Sequence, residues 1–174
     1  IITALTNVSA NENELFTLQV VANDPDGDAL TYSLTEYPEG MEISATDSIR
    51  WTPGFTQSGD YTVNVKVTDG RGGETTVSFS LTVIDVPNEY CMNNPFPNPF
   101  KQITTIEYSL PKETYVLIAI YNISGQAVCV LKDEVQSIGY YSIKWNAKDM
   151  PSGQYFCNFK SKKFTKTKKM VLVK

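Results

Sequence analysis

Histidine is missing from this 174-residue chain altogether. Without imidazole there is no His-assisted serine or cysteine nucleophile, no histidine proton shuttle and no His-containing zinc site. Cysteine is scarce: Cys91, Cys129 and Cys157 are too few for a four-thiolate zinc site, and no Cys-x-x-Cys pair occurs. Arginine occurs only as Arg50 and Arg71, so the second half of the chain cannot read guanine through a bidentate guanidinium. No apolar run approaches the ~18 residues that suggest a membrane-spanning helix. Residue 1 is isoleucine and no basic stretch leads into an apolar one, so no signal peptide is visible. The expectation is a segment of a longer precursor whose signal peptide and main domain lie upstream.

What the chain does contain is alternation. Hydrophobic residues make up 41% of it, enough for packed cores. Phe16, Leu18 and Val20 alternate with polar or small neighbours, as do Leu30, Tyr32 and Leu34, then Tyr61 to Val67, then Val77 to Val83. Glycines and prolines separate these runs, among them Gly27, Pro38, Gly54 and the Gly70-Arg71-Gly72-Gly73 turn. About seven short strands in half the chain predict an antiparallel β-sandwich, with Ile49 and Trp51 in its core.

The rhythm resumes after a break. Ile106, Tyr108 and Leu110 alternate, and Val116 to Ile123 is apolar on both parities, as in a central strand covered on both faces. Tyr141, Ile143 and Trp145 alternate with Ser142, Lys144 and Asn146, and Cys157 shares parity with Tyr155 and Phe159 as a small core residue. One disulfide among the three cysteines stays open. The prediction is a second sandwich and no helix: an all-β chain of two immunoglobulin-like sandwiches, residues 1–88 and 89–174. The junction, about residues 86–99, carries four prolines that interrupt sheet pairing.

Charge divides the chain in the same place. Residues 1–89 hold 14 acidic and 3 basic side chains, residues 90–174 hold 5 and 12. The lysines of the basic half gather near its end, at Lys160, Lys162, Lys163, Lys166, Lys168 and Lys169. That placement reads as a solvated or receptor-facing surface rather than a nucleic-acid interface.

Four segments of the second half carry a resemblance. They are Pro97-Asn98-Pro99-Phe100, Ile120-Tyr121-Asn122-Ile123-Ser124-Gly125-Gln126, Met150 to Phe156, and Lys168-Lys169-Met170-Val171-Leu172-Val173-Lys174. In that order they resemble the type A C-terminal sorting domain of the bacterial type IX secretion system. The resemblance implies a domain opened by Pro-Asn-Pro-Phe, its aromatic tucked against the sandwich, and recognised by an outer-membrane translocon. It also implies a sortase-like peptidase acting near the domain junction, a cargo domain upstream in the same chain, and delivery to the surface of a Gram-negative cell. The residues expected to carry sorting are Lys168 to Lys174, with Gly153 and Tyr155 shaping the turn before the last hairpin. The Ile-Tyr-Asn-x-x-Gly strand also occurs in the immunoglobulin-like domain of flagellar hook-capping proteins, a structural rival.

In the first half, Asp24-Pro25-Asp26-Gly27-Asp28 packs three carboxylates into five residues, the hard-oxygen density calcium needs. Asp-Pro and Asp-Gly steps are also turn signals by themselves. Val21 to Asp26, Leu30 to Leu34, Gly59 to Val63 and Val67 to Gly70 resemble cadherin-like and immunoglobulin-like repeats of large bacterial surface proteins. That resemblance implies Asp24, Asp26 and Asp69 as calcium ligands. Glu12 or Glu14 would stand for the N-terminal glutamate of those repeats, while Arg50-Trp51 replaces an acidic motif and argues against a second calcium site.

No catalytic constellation is present. Glu107 and Glu113 show no sign of a paired acid and base, and the glycine-rich turn at 70–73 has no Lys-Ser/Thr or helix after it. The sequence therefore predicts a non-catalytic spacer and sorting signal, with an adhesion or carbohydrate-binding module as the alternative.

Overall fold

A computed structural model of the chain describes residues 5–44 and 47–174. Among them there is no helix, and the contacts separate two units, residues 1–85 and 86–174. Each unit has its own core.

The first unit contains β1 (Val8–Asn11), β2 (Phe16–Gln19), β3 (Thr31–Glu36), β4 (Glu42–Ile43), β5 (Ser48–Trp51), β6 (Gly59–Thr68) and β7 (Glu74–Ile84). They form a sheet ordered β1-β7-β6-β3 and a smaller one ordered β2-β5-β4. All pairings are antiparallel except β1 with β7, where Val8 lies opposite Leu81. The period-two pattern reaches the core as expected: Val63, Val65, Val67, Phe79, Leu81 and Val83 are buried against Phe16, Ile49 and Trp51. The Trp51 indole donates to the Glu39 carbonyl (3.1 Å) and meets the Tyr61 ring edge to face. Its polar atom is satisfied inside the domain, as a core tryptophan requires.

The second unit contains β8 (Cys91–Met92), β9 (Ile103–Leu110), β10 (Thr114–Asn122), β11 (Ala127–Gln136), β12 (Gly139–Asn146), β13 (Gly153–Ser161) and β14 (Thr165–Leu172). Its sheets are ordered β11-β10-β13-β14 and β12-β9-β8. Ile106, Tyr108 and Leu110 of β9 face Val116, Ile118 and Ile120 of β10 across a core completed by Trp145, Tyr155, Phe159, Met170 and Leu172. The expectation of a strand covered on both faces holds for one face of β10 only. A two-sheet sandwich buries one side of each sheet, so the apolar outer residues of β10 lack a second layer within the domain. The turn after β10 is built by Asn122, whose Oδ1 accepts from the Ser124 and Gln126 N–H groups, both at 3.0 Å.

Three strands begin alike. Gly59-Asp60-Tyr61, Gly139-Tyr140-Tyr141 and Gly153-Gln154-Tyr155 open β6, β12 and β13, and each tyrosine hydroxyl donates to the carbonyl four residues back, of Gln57, Ser137 and Pro151. The glycines have φ of 135°, 152° and 159°, which lets the chain swing into the strand where a side chain would be strained. The tyrosine ring then packs inward while its hydroxyl staples the incoming loop, so Gly-x-Tyr is a strand-entry device common to both domains.

The second domain builds on residues ahead of Asn93: Met92 is buried in its core, β8 pairs with β9, Ser109 Oγ donates to the Glu89 carbonyl (2.9 Å), and Tyr90 stacks on Phe164. Residues 86–174 expressed alone are therefore expected to unfold cooperatively. Residues 93–174 should lose a few kcal/mol with Met92 and Tyr90 gone. Urea denaturation of the two fragments checks this, and equal stabilities would contradict it.

Candidate functional site

The last strand forms because its alternation matches its position. Met170 and Leu172 of β14 enter the core opposite Tyr155 and Gly153 of β13, while Lys169 and Val171 turn to the outer face. As an edge strand, β14 would ordinarily leave a row of N–H and C=O groups unpaired.

Its free edge is instead closed by the Pro-Asn-Pro-Phe segment. Asn98 Nδ2 donates to the Lys169 carbonyl (2.8 Å) and Asn98 Oδ1 accepts from the Val171 N–H (2.9 Å). The carboxamide thus acts as a strand residue would, donating and accepting at alternate positions of the neighbouring chain. Pro97 and Pro99 lack N–H donors and could not do this with their backbone. Beyond it, Phe100 N–H donates to the Val171 carbonyl and the Val173 N–H donates to the Phe100 carbonyl, both at 2.9 Å, in a parallel bridge around Leu172. The Phe100 ring is buried, 5.5 Å from Trp145, as the resemblance implied.

The terminal lysines have different jobs. Lys168 Nζ donates to Asn94 Oδ1 (2.9 Å) and Lys174 Nζ to the Lys148 carbonyl (2.9 Å), while the Lys174 N–H donates to Ser152 Oγ (3.1 Å). Lys169 is exposed, and its amino group has no hydrogen-bond or ion-pair partner among the described residues. The chain end is therefore pinned rather than loose. Tyr155 holds the turn before the hairpin through Pro151 and packs its ring on Trp145, while Gly153 opens β13 opposite Leu172. Sequence reasoning missed the role of Asn98: a side chain standing in for backbone leaves no periodic trace, although an asparagine between two prolines is the available signal. Asn98→Ala is expected to lower the stability of the second domain by about 1 kcal/mol, whereas Lys169→Ala should stay within roughly 0.5 kcal/mol. Urea midpoints of the two variants test this ranking.

The acidic residues of the first domain do other work. Asp24 Oδ1 accepts from the N–H groups of Asp26 (2.9 Å) and Asp28 (3.1 Å), and Asp69 Oδ1 accepts from those of Arg71 (2.7 Å) and Gly73 (2.9 Å). A Cβ at position 73 would press on the Asp69 carboxylate and force that side chain to shift. Asp24 and Asp69 line one cavity of about 170 Å³ together with Glu74, but Asp26 does not. The nearby charges are answered by protein cations: Arg71 pairs with Asp28 (3.2 Å) and Lys66 with Glu74 (2.5 Å). Glu12, buried, accepts from the N–H groups of Gln57 and Ser58, and Glu14 accepts from Asn11. Among the described residues no three metal-ligating side chains converge. With Glu74 held by Lys66 and Asp28 by Arg71, Asp24 and Asp69 alone fall short of a cation that takes six to eight oxygens. Calcium up to roughly several millimolar is expected to leave the melting temperature unchanged. A rise that Asp26→Ala abolishes would contradict this and restore Asp24, Asp26 and Asp69 as ligands.

The three cysteines are free thiols. Cys157 is buried, and that burial pushes its pKa up to about 12, which keeps it protonated and unreactive.

These features define a pair of β-sandwich domains whose distinguishing element is a clasped C-terminal strand. Comparison with known proteins gives the particular families. Residues 94–174 match the family described as "Secretion system C-terminal sorting domain" and residues 1–84 the one described as "Putative Ig domain", leaving only residues 85–93 unmatched. An immunoglobulin-like domain is thus followed by a type IX sorting domain. Both are non-catalytic kinds of domain, and the sorting domain indicates export to the cell surface or secretion from a Gram-negative bacterium. It also implies interaction with the type IX machinery. No curated protein matches the chain.

Among solved structures, a protocadherin gammaB7 EC3-6 cis-dimer aligns at 11% identity and TM-score 0.52, over 99% of this chain and 47% of that one. The protocadherin GammaB4 extracellular domain aligns at 14% and 0.50, over 99% and 31%. Dimeric latent PorU from Porphyromonas gingivalis aligns at 20% and 0.36, over 99% and 20%. The chain thus spans less than half the length of each. At these identities the two protocadherins speak to the sandwich fold alone.

Proposed function

We propose that the second domain is the signal read by the outer-membrane type IX translocon, and that its folded last strand is the part recognised. The first domain is then a spacer between that signal and an upstream cargo domain. The observation that carries this reading is the double hold on β14. It is paired with β13 on one edge and with Asn98 and Phe100 on the other, so a receptor meets a fixed surface. Such preorganisation spares the complex the entropy of ordering a loose tail. Among Lys168, Lys169 and Lys174, Lys169 is the one available for contact, because the other two are engaged within the domain. A sortase-like peptidase would cut within the junction, where Asp85, Asn88 and Glu89 are exposed ahead of β8. Calcium forms no part of this reading.

The test fuses residues 86–174 behind a signal peptide and reporter in a bacterium that has the type IX system. The intact fusion should reach the surface, and deletion of residues 168–174 should leave it in the periplasm. Lys169→Ala should reduce delivery with an unchanged circular dichroism spectrum and melting temperature. Normal delivery by the deleted form would remove β14 from the mechanism. Retention of the intact fusion would favour the adhesion alternative, for which a cavity of about 400 Å³ lined by Asn93, Glu107, Ser109, Tyr140 and Ser142 is the place to seek a ligand.

A further inference from the structure

The outer face of the β11-β10-β13-β14 sheet carries apolar side chains that lie outside the core of its domain, Tyr115 exposed and Leu117, Tyr121 and Phe156 half-buried. Val116, Ile118 and Ile120 of β10 enter the core, so alternation sends Tyr115, Leu117, Ala119 and Tyr121 to the opposite side. Register extends that side across the sheet. Phe156 lies opposite Tyr121 and Lys169 opposite Phe156, while Lys160 lies opposite Leu117. Tyr115, Leu117, Tyr121 and Phe156 all lie outside the core cluster, and Ile123 next to them is 76% exposed. Aromatic residues thus stand on the two central strands of this face, Tyr121 and Phe156 at one end and Tyr115 at the other. Lys160 on β13, Lys162 in the turn after it and Lys169 on β14 lie beside them toward the β14 edge, and none of the three has an ion pair among the described residues.

Three kinds of occupant can be weighed on these residues. A second copy related by a two-fold axis across the strands would bring like-charged lysine borders together, and one related by an axis along the strands would set them against β11, whose Asp133 and Glu134 are already engaged by Tyr115 and Lys132. A bilayer would have to bury the Tyr115–Asp133 hydrogen bond and the Asn158–Thr167 pair, which run through the face and would lie against hydrocarbon. A protein surface can match such polar atoms with its own donors and acceptors. Unpaired lysines beside an aromatic centre then call for carboxylates opposite them.

We propose that this face binds a protein partner whose contact surface is apolar in the middle and acidic along the edge that meets β14. The inference rests in part on the sorting reading, since the face includes Lys169.

The test selects binders to the full chain from a phage-displayed random library of peptides about 12 residues long, enough for a strand-length segment. Enriched peptides should combine aromatic or aliphatic residues with Asp and Glu, and bind saturably. Affinity should fall about tenfold or more in a Tyr121→Ser, Phe156→Ser double variant and in a Lys160→Glu, Lys169→Glu double variant, both with unchanged melting temperature. Tyr140→Ser, on the other sheet, should bind as the parent does. Enrichment of basic peptides, absence of saturable binding, or parent-like affinity in either double variant overturns the proposal. So does adsorption to phosphatidylglycerol vesicles, or dimerisation in sedimentation, that the same variants abolish. Because the selection needs no secretion system, peptide binding without reporter export would leave the face standing and remove the sorting reading, and the reverse result would do the opposite.

Discussion

The second domain depends on how the open edge of its last strand is closed. An edge strand with alternating apolar residues, placed at a chain end, invites fraying inward and pairing outward. Asn98 removes both hazards with one carboxamide. It donates to Lys169 and accepts from Val171, and Phe100 continues the ladder to Val173. The prolines on either side of Asn98 have no N–H to offer, so the side chain supplies what the backbone lacks. Because Phe100 is buried beside Trp145, this edge closure is anchored in the core rather than laid over the surface.

The first domain solves a different problem, an excess of acid. Its carboxylates are used locally. Asp24 and Asp69 each take two backbone N–H groups in a turn, Glu12 takes two more from residues 57 and 58, and Arg71 and Lys66 answer Asp28 and Glu74. Aspartates followed by glycine or proline have this alternative to a metal because the side chain is short enough to reach the N–H two residues on. The cadherin-like spacing of acids therefore coincides here with turns whose aspartates also accept backbone N–H groups.

The sequence disclosed most of the fold. Period two in Val63 to Val67, in Ile106 to Leu110 and in Tyr141 to Trp145 pointed the correct residues inward, because one buried face imposes that pattern directly. It was less informative where apolar residues do not report burial. Val116 to Ile123 looked covered on both sides, yet Tyr121 and Leu117 lie on an outer face. Partnering residues remote in sequence, such as Asn98 with Lys169 and Ser109 with Glu89, could not be read from spacing. Gly-x-Tyr was present three times in plain view, but its meaning lies in a hydroxyl reaching back four residues, which appears only once the loop has a shape. Of the expected sorting residues, Met170 and Leu172 are core, Lys168 and Lys174 hold the chain end, and Lys169 alone among the three lysines faces outward unpaired.

The last strand, β14, is a fixed structural element with both edges satisfied. Native-state hydrogen exchange at the Val171 and Val173 amides reads this directly, since neither bond is made to β13: one goes to a side chain and the other to Phe100. Protection of both amides comparable to that of the amides joining β10 to β13 is the predicted result. Exchange at the rate of an unstructured chain end would contradict it.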